Sequence, residues 1–92
     1  MRIFIKKFGT TLVSRSAGKE GLLAYQPVLK TLKKHETLEI DFEGVMALGP
    51  SWGDEFLTPL FAKFGNRIKL FNTENSSVQA TLELLDGIGL GE

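Results

Sequence analysis

Polar and apolar side chains alternate strictly in residues 37–42. Leu38, Ile40 and Phe42 fall on one face of an extended chain, and the polar residues between them fall on the other. The pattern predicts a strand that is buried on one face. Because strands covered on both faces of a parallel sheet are usually continuous apolar runs, the alternation predicts helices on one face of the sheet and a polar second face.

Two further segments are predicted to join this strand. Residues 2–8 place Ile3 and Ile5 on one face, and residues 67–72 form a second short run with strand character. A short strand or a turn is expected at residues 12–13. These segments give the sheet about four strands.

Helical periodicity separates the predicted strands. Residues 17–34 carry apolar side chains at steps of three and four residues, which favours an amphipathic helix. The positions in this stripe are Leu22, Tyr25, Leu29 and Leu32. Pro27 removes a backbone donor, so we expect either a kink or a helix that begins later than the periodicity indicates.

Two more helices are predicted in the second half. Ser51 lies three residues before Asp54, which is typical of an N-cap, and Gly65 ends the apolar stripe that follows. That stripe contains Trp52, Phe56, Leu60 and Phe64. The third helix is predicted from Ser76, with Gln79 completing a capping box.

The order of strands and helices predicts a small α/β domain with a mostly parallel or mixed sheet of about four strands and helices mainly on one face. A hydrophobic fraction of 42% and a charged fraction of 24% exclude disorder for most of the chain. We expect one domain over residues 1–92, with residues 87–92 forming a flexible tail.

Composition also narrows the chemistry. The chain has no cysteine, which excludes disulfides, thiol nucleophiles and sulfur-ligated zinc, and its one histidine, His35, has no recognisable triad partner. No apolar run is long enough to cross a bilayer, and Lys6 and Lys7 interrupt the start too early for a secretory signal. We therefore expect a cytoplasmic protein that is not an enzyme, needs no cofactor and does not contact a membrane.

Charge is unevenly distributed although the chain is neutral. Residues 1–34 contain eight lysines and arginines and one acid, Glu20, giving +7, and residues 35–92 give −7. This asymmetry indicates either neutralisation within the fold or a surface for an anionic partner. A nucleic-acid or nucleotide-binding domain that uses the basic first third is therefore the alternative function.

Several spaced residues carry a resemblance to a known family. The segment IDFEGVMALGPSWGDE, together with FNTENSSVQATLELLD, resembles the STAS domains of bacterial anti-sigma-factor antagonists, and it is closer still to the STAS-like domain family of unknown function. The matching residues are Asp41, Phe42, Gly44, Val45, Ser51, Trp52, Gly53, Asp54 and Glu55. Residues 14–16 ahead of the first helix also look like that family.

The resemblance implies a non-catalytic, regulatory protein-interaction module in bacterial signalling or anti-sigma-type partner switching. Its partner would be a regulatory protein such as a serine kinase or an ATPase-like anti-sigma-type protein. The position at which the antagonists are phosphorylated corresponds to Ser51. The implied partner-binding surface consists of Gly49, Pro50, Ser51, Trp52, Asp54 and Glu55.

Some of these residues also have purely structural interpretations. Ser51 could serve only as an N-cap, and Trp52 fits the buried stripe of its helix unless it is exposed as an interface anchor. The acids Asp41, Glu43, Asp54 and Glu55 could gather near one strand end and the next helix start, but they lack the spaced oxygen ligands of a calcium loop, so no metal site is predicted. The strand at residues 2–8 could lie at a sheet edge and pair with a second copy, giving a homodimer.

Overall fold

The computed structural model describes residues 1–85, and the tail expected at 87–92 lies outside them. Its strands are β1 (Arg2–Phe4), β2 (Thr11–Leu12), β3 (Leu38–Asp41), β4 (Ala47–Leu48) and β5 (Ile68–Phe71). Its α-helices are α1 (Arg15–Leu29), α2 (Pro50–Phe64) and α3 (Ser76–Leu85), and short 3-10 helices span Ile5–Phe8 and Gly65–Arg67. Within these residues, no helix is long and apolar enough to cross a membrane.

The strand predicted at residues 37–42 is the centre of a parallel sheet. The strand order is β1-β3-β5, and Ile40 lies opposite Ile3 on one side and Leu70 on the other. Ile3 and Ile40 are fully buried beneath the helices. The opposite face carries Arg2, which forms ion pairs with Glu39 and Asp41. One face is thus apolar and covered, as the alternation predicts, and the other carries charged residues together with Phe4 and Phe71, whose rings the Arg2 guanidinium contacts.

The helical layer is centred on α2, which packs against α1 on one side and α3 on the other. The start of α1 lies beside the start of α2, because Arg15 pairs with Asp54 and Gly18 approaches Trp52. The two helices therefore run parallel, as expected for successive right-handed crossovers. The α/β fold with parallel strands and helices on one face is confirmed.

Two elements of the first half have boundaries that differ from the predictions: the first strand at its end, and α1 at both ends. The first strand ends at Phe4 and continues as a 3-10 helix, although Ile5 is still fully buried. Helix α1 begins earlier than predicted because the Ser14 hydroxyl accepts a hydrogen bond from the Ala17 amide at 3.2 Å. It ends at Leu29, with Pro27 in its last turn, so the proline does not delay its start.

A second, two-stranded parallel sheet joins β2 to β4. The sequence predicts extended structure at residues 12–13 but gives no indication of β4, which has only two residues. The strands are therefore divided into a sheet of three and a separate pair. This pair lies directly before α2 and positions its first turn.

Candidate functional site

The start of α2 is held in place by β2. The Gly49 amide donates a hydrogen bond to the Leu12 carbonyl at 2.8 Å, and Val13 contacts Gly49 closely. Gly49 is the N-cap of α2 and Pro50 is its first helical residue. Proline is favoured there because its φ suits a helix and the missing N–H needs no partner. The prediction that Ser51 is the N-cap is therefore wrong, and Ser51 lies in the first turn.

The same turn is held from the other side by α3. The Leu48 amide donates to Ser77 Oγ at 3.1 Å, and Thr81 Oγ1 donates to the Leu48 carbonyl at 2.6 Å. Asn75 Nδ2 donates to the Met46 carbonyl at 3.0 Å. Because both edges of β4 have partners, the chain that enters α2 is rigidly positioned.

Asn75 also caps α3. Its side-chain oxygen accepts hydrogen bonds from the Ser77 amide at 2.8 Å and the Val78 amide at 3.2 Å. The predicted capping box of Ser76 and Gln79 is therefore wrong, since an asparagine one residue earlier already satisfies the first donors of the helix.

Arg15 links the beginnings of α1 and α2 electrostatically. Its Nη1 donates to Asp54 Oδ2 at 3.1 Å and to Glu55 Oε2 at 2.8 Å. Hydrogen bonds from Arg15 and from Thr58 hold the pKa of Asp54 below its ordinary value. The hydrogen bonds that Arg15 donates to Glu55 and Asp54 raise the pKa of Arg15. This ion-paired trio borders the first turn of α2.

Trp52 supports this region from beneath. Its side chain is 1% exposed and stacks on Phe56, with ring centroids 4.7 Å apart. The expectation that Trp52 belongs to the core is confirmed. The prediction that Trp52 binds a partner is not compatible with this burial, because the amphipathic stripe of α2 turns its side chain inward.

Two apolar side chains that the sequence analysis missed lie exposed beside the start of α2. Met46 is 71% exposed and Val13 is 54% exposed. The Met46 amide donates to the Thr10 carbonyl at 2.8 Å, so the pairing of β2 with β4 sets its position. We use the term α2-start surface for Val13, Arg15, Met46, Gly49, Pro50, Ser51, Asp54 and Glu55. No local sequence pattern indicates that Val13 and Met46 are exposed here, because the pairing of β2 with β4 sets the positions of both residues.

The other predicted acids lie elsewhere. Asp41 is 2% exposed and accepts hydrogen bonds from Asn72 Nδ2 at 2.8 Å, the Glu43 amide at 2.9 Å and Arg2 Nη2 at 2.9 Å. Burial alone would raise the pKa of Asp41, but these hydrogen bonds outweigh it and the pKa lies below its ordinary value. Across residues 1–85, no group of three or more His, Asp or Glu side chains is placed to hold a metal ion.

The basic first third does not form one surface. Arg2 is neutralised by Asp41 and Glu39 on the open sheet face, and Arg15 is neutralised at the α2-start surface. Lys30, by contrast, lies at the far end of α1. The charge asymmetry along the sequence is therefore partly cancelled by ion pairs within the fold.

Comparison with known protein families identifies one match. The family model described as STAS-like domain of unknown function (DUF4325) matches residues 25–78, which is more than half of the chain. The matched region runs from the last turns of α1 to the first turn of α3 and includes all of α2. No curated protein and no solved structure matches the chain at a significant level.

Proposed function

The chain belongs to the family of STAS-like domains of unknown function, and we propose that it is a non-catalytic module that binds a regulatory protein through the α2-start surface. The observation that carries this proposal is the exposure of Met46 and Val13 beside a rigidly held helix start. Exposed apolar side chains on strands that hydrogen bonds hold in place are suited to protein recognition, since little ordering of the backbone is needed on binding.

The rim of this surface supplies charge. Arg15, Asp54 and Glu55 are all partly exposed and lie at the starts of two parallel helices. A partner that offers an arginine or a carboxylate could exchange ion pairs with this trio, which favours specificity for one partner over others. Pro50, the first residue of α2, is also exposed and adds an apolar side chain to this surface.

We propose Ser51 as the regulated position. Ser51 is half-buried in the first turn of α2, and Asp54 and Glu55 follow it by three and four residues, so all three share one helix face. A phosphate there would be favoured by the positive end of the helix dipole, but repelled by the two carboxylates. It would also compete with them for Arg15. Phosphorylation would therefore alter the charge of the surface without unfolding the helix.

This chemistry fits partner switching in a bacterial signalling pathway. The partner we propose is a serine kinase or an ATPase-like anti-sigma-type protein of the cytoplasm, and no cofactor is needed by the module itself.

Self-association is a separate prediction. Strand β1 does lie at an edge of the three-stranded sheet, where it could pair with a second copy.

The proposal is tested by capture from the native cell extract, followed by affinity measurements with each purified partner. Met46→Glu replaces the exposed apolar side chain of Met46 with a charge and is expected to weaken binding at least tenfold. Leu23→Glu is the matched control, because Leu23 is 60% exposed on α1 and lies outside the α2-start surface. Equal binding by both folded variants would overturn the assignment of this surface.

A further inference from the structure

A second charged surface lies at the opposite end of α2. Twelve residues separate Ser51 from Lys63, so at a rise of about 1.5 Å per residue they lie about 18 Å apart along the helix. Since α1 runs parallel to α2, its C-terminal end lies at the same end of the domain. We use the term basic end for Lys30, Lys33, Lys34, Lys63 and Arg67.

Direct contacts bring these residues together from three parts of the chain. Arg67 Nη1 donates to the Lys33 carbonyl at 3.0 Å and to the Lys34 carbonyl. Lys63 Nζ lies 5.6 Å from the centroid of the Phe64 ring, and the Arg67 guanidinium lies 5.2 Å from the same centroid. Lys30 is the C-cap of α1, three residues before Lys33.

The four lysines are exposed, and none of them forms an ion pair with any residue of the described range 1–85. The nearby acid Glu36 is already engaged, because its carboxylate accepts from the N-terminal ammonium at 2.9 Å and from the Lys33 amide at 3.0 Å. Helix dipoles favour Lys30 and Lys63 at these helix ends. They do not account for Lys33 and Lys34, which follow α1.

The type of cation indicates the chemistry of the ligand. Protein interfaces are enriched in arginine and depleted in lysine, whereas lysine binds phosphate as a point charge. The guanidinium of Arg67, the single arginine of the basic end, donates hydrogen bonds to backbone carbonyls. It is therefore not free to bind a carboxylate with two parallel hydrogen bonds. A membrane surface is disfavoured, because stable attachment needs well-exposed apolar anchors, and the large exposed apolar side chains nearest in the sequence, Val28 and Leu70, are only 41% and 40% exposed.

We infer that the basic end binds the phosphodiester backbone of a nucleic acid, without reading its sequence. This surface is built from Lys30, Lys33 and Lys34 of the basic first third together with Lys63 and Arg67 from later in the chain. It is independent of the α2-start surface. Four phosphate contacts predict weak binding. The logarithm of the association constant should fall with the logarithm of the salt concentration at a slope of about −4.

The test is fluorescence anisotropy of a labelled duplex DNA of about 20 base pairs, titrated with the full chain at several salt concentrations. The variant Lys30→Gln/Lys34→Gln/Lys63→Gln leaves Arg67 and its loop contacts intact. We expect at least tenfold weaker binding and a salt slope reduced to about −1. Circular dichroism checks that the variant is folded.

The matched control is Lys6→Gln/Lys19→Gln/Lys69→Gln, which removes the same charge from exposed positions outside the basic end. Retained DNA binding by this control supports the inference. Equal loss in both triple variants, or no duplex binding by the wild type at low salt, overturns it. Binding of phosphatidylserine vesicles in preference to the duplex would also overturn it and assign the surface to a membrane.

Discussion

A Cβ atom added at Gly18 would lie 2.6 Å from the Trp52 carbonyl oxygen. No real Cβ approaches a backbone oxygen so closely, so α1 can pack this tightly against α2 only because position 18 has no side chain. This contact also lies one turn from Arg15 and therefore sets the distance between the two helix starts that form the α2-start surface.

Gly18→Ala is expected to destabilise the domain. Overpacking costs about 1–3 kcal/mol, which outweighs the roughly 1 kcal/mol that alanine gains over glycine within a helix. Gly21→Ala is the control in the same helix, because its nearest neighbours are side-chain atoms of Phe8 at 3.2 Å and of Phe56 at 3.5 Å. Urea unfolding should show lower stability for Gly18→Ala only. Equal stabilities would contradict the close helix contact.

Thr81→Val removes the donor that satisfies the Leu48 carbonyl. Since Thr81 and Leu48 are both buried, the carbonyl would be left without a partner, at a cost of about 1–3 kcal/mol. Thr58→Val, which loses a bond to the half-exposed Asp54, should cost less. The free energies of unfolding of both variants provide the comparison. A smaller loss of stability in Thr81→Val than in Thr58→Val would argue against a stabilising role for the hydrogen bond from Thr81 to β4.

Asp41→Asn tests the acid dependence of stability. The pKa of Asp41 is lower in the folded state than in the unfolded chain, so its carboxylate stabilises the fold above about pH 4, and this contribution is lost as pH falls through the folded pKa. The variant should be about 1–3 kcal/mol less stable at neutral pH and should lose less stability on acidification.

Denaturant unfolding at a series of pH values measures both effects. Glu43→Gln is the control. Its side chain is exposed, and the hydrogen bond from the backbone amide of residue 43 to the Asp41 carboxylate is retained. If the free energy of unfolding of Asp41→Asn fell with pH as it does in the wild type, other carboxylates would account for the whole acid dependence of stability.

Much of the fold follows from local patterns. Alternation at residues 37–42 predicts both the central strand and its single covered face. Successive side chains of a strand point to opposite faces, so apolar residues at every second position mark the buried face. Helix starts are less predictable. Ser51 and Ser76 have the composition of N-caps, but Gly49 and Asn75 act one or two residues earlier because the flanking strand β4 fixes where the chain turns.

The α2-start surface could be predicted only in part. Pro50, Asp54 and Glu55 lie within one six-residue segment and were found with the motif. Arg15 lies 39 positions before Asp54 and reaches it through a tertiary ion pair. Met46 belongs to the same sequence segment as the motif, but its position is set by the pairing of β2 with β4. No local periodicity encodes such tertiary contacts, which explains why the exposed Met46 and Val13 and the counter-ion Arg15 were missed.

The most direct test of the account is the affinity of the purified partner for wild type, Ser51→Asp and Ser51→Ala, with mass spectrometry of the domain after incubation with the partner, ATP and magnesium. We predict phosphate on Ser51, at least tenfold weaker binding by Ser51→Asp, which corresponds to about 1.4 kcal/mol, and near wild-type binding by Ser51→Ala. A folded Ser51→Asp variant that binds as tightly as wild type would contradict the proposal that Ser51 regulates this surface.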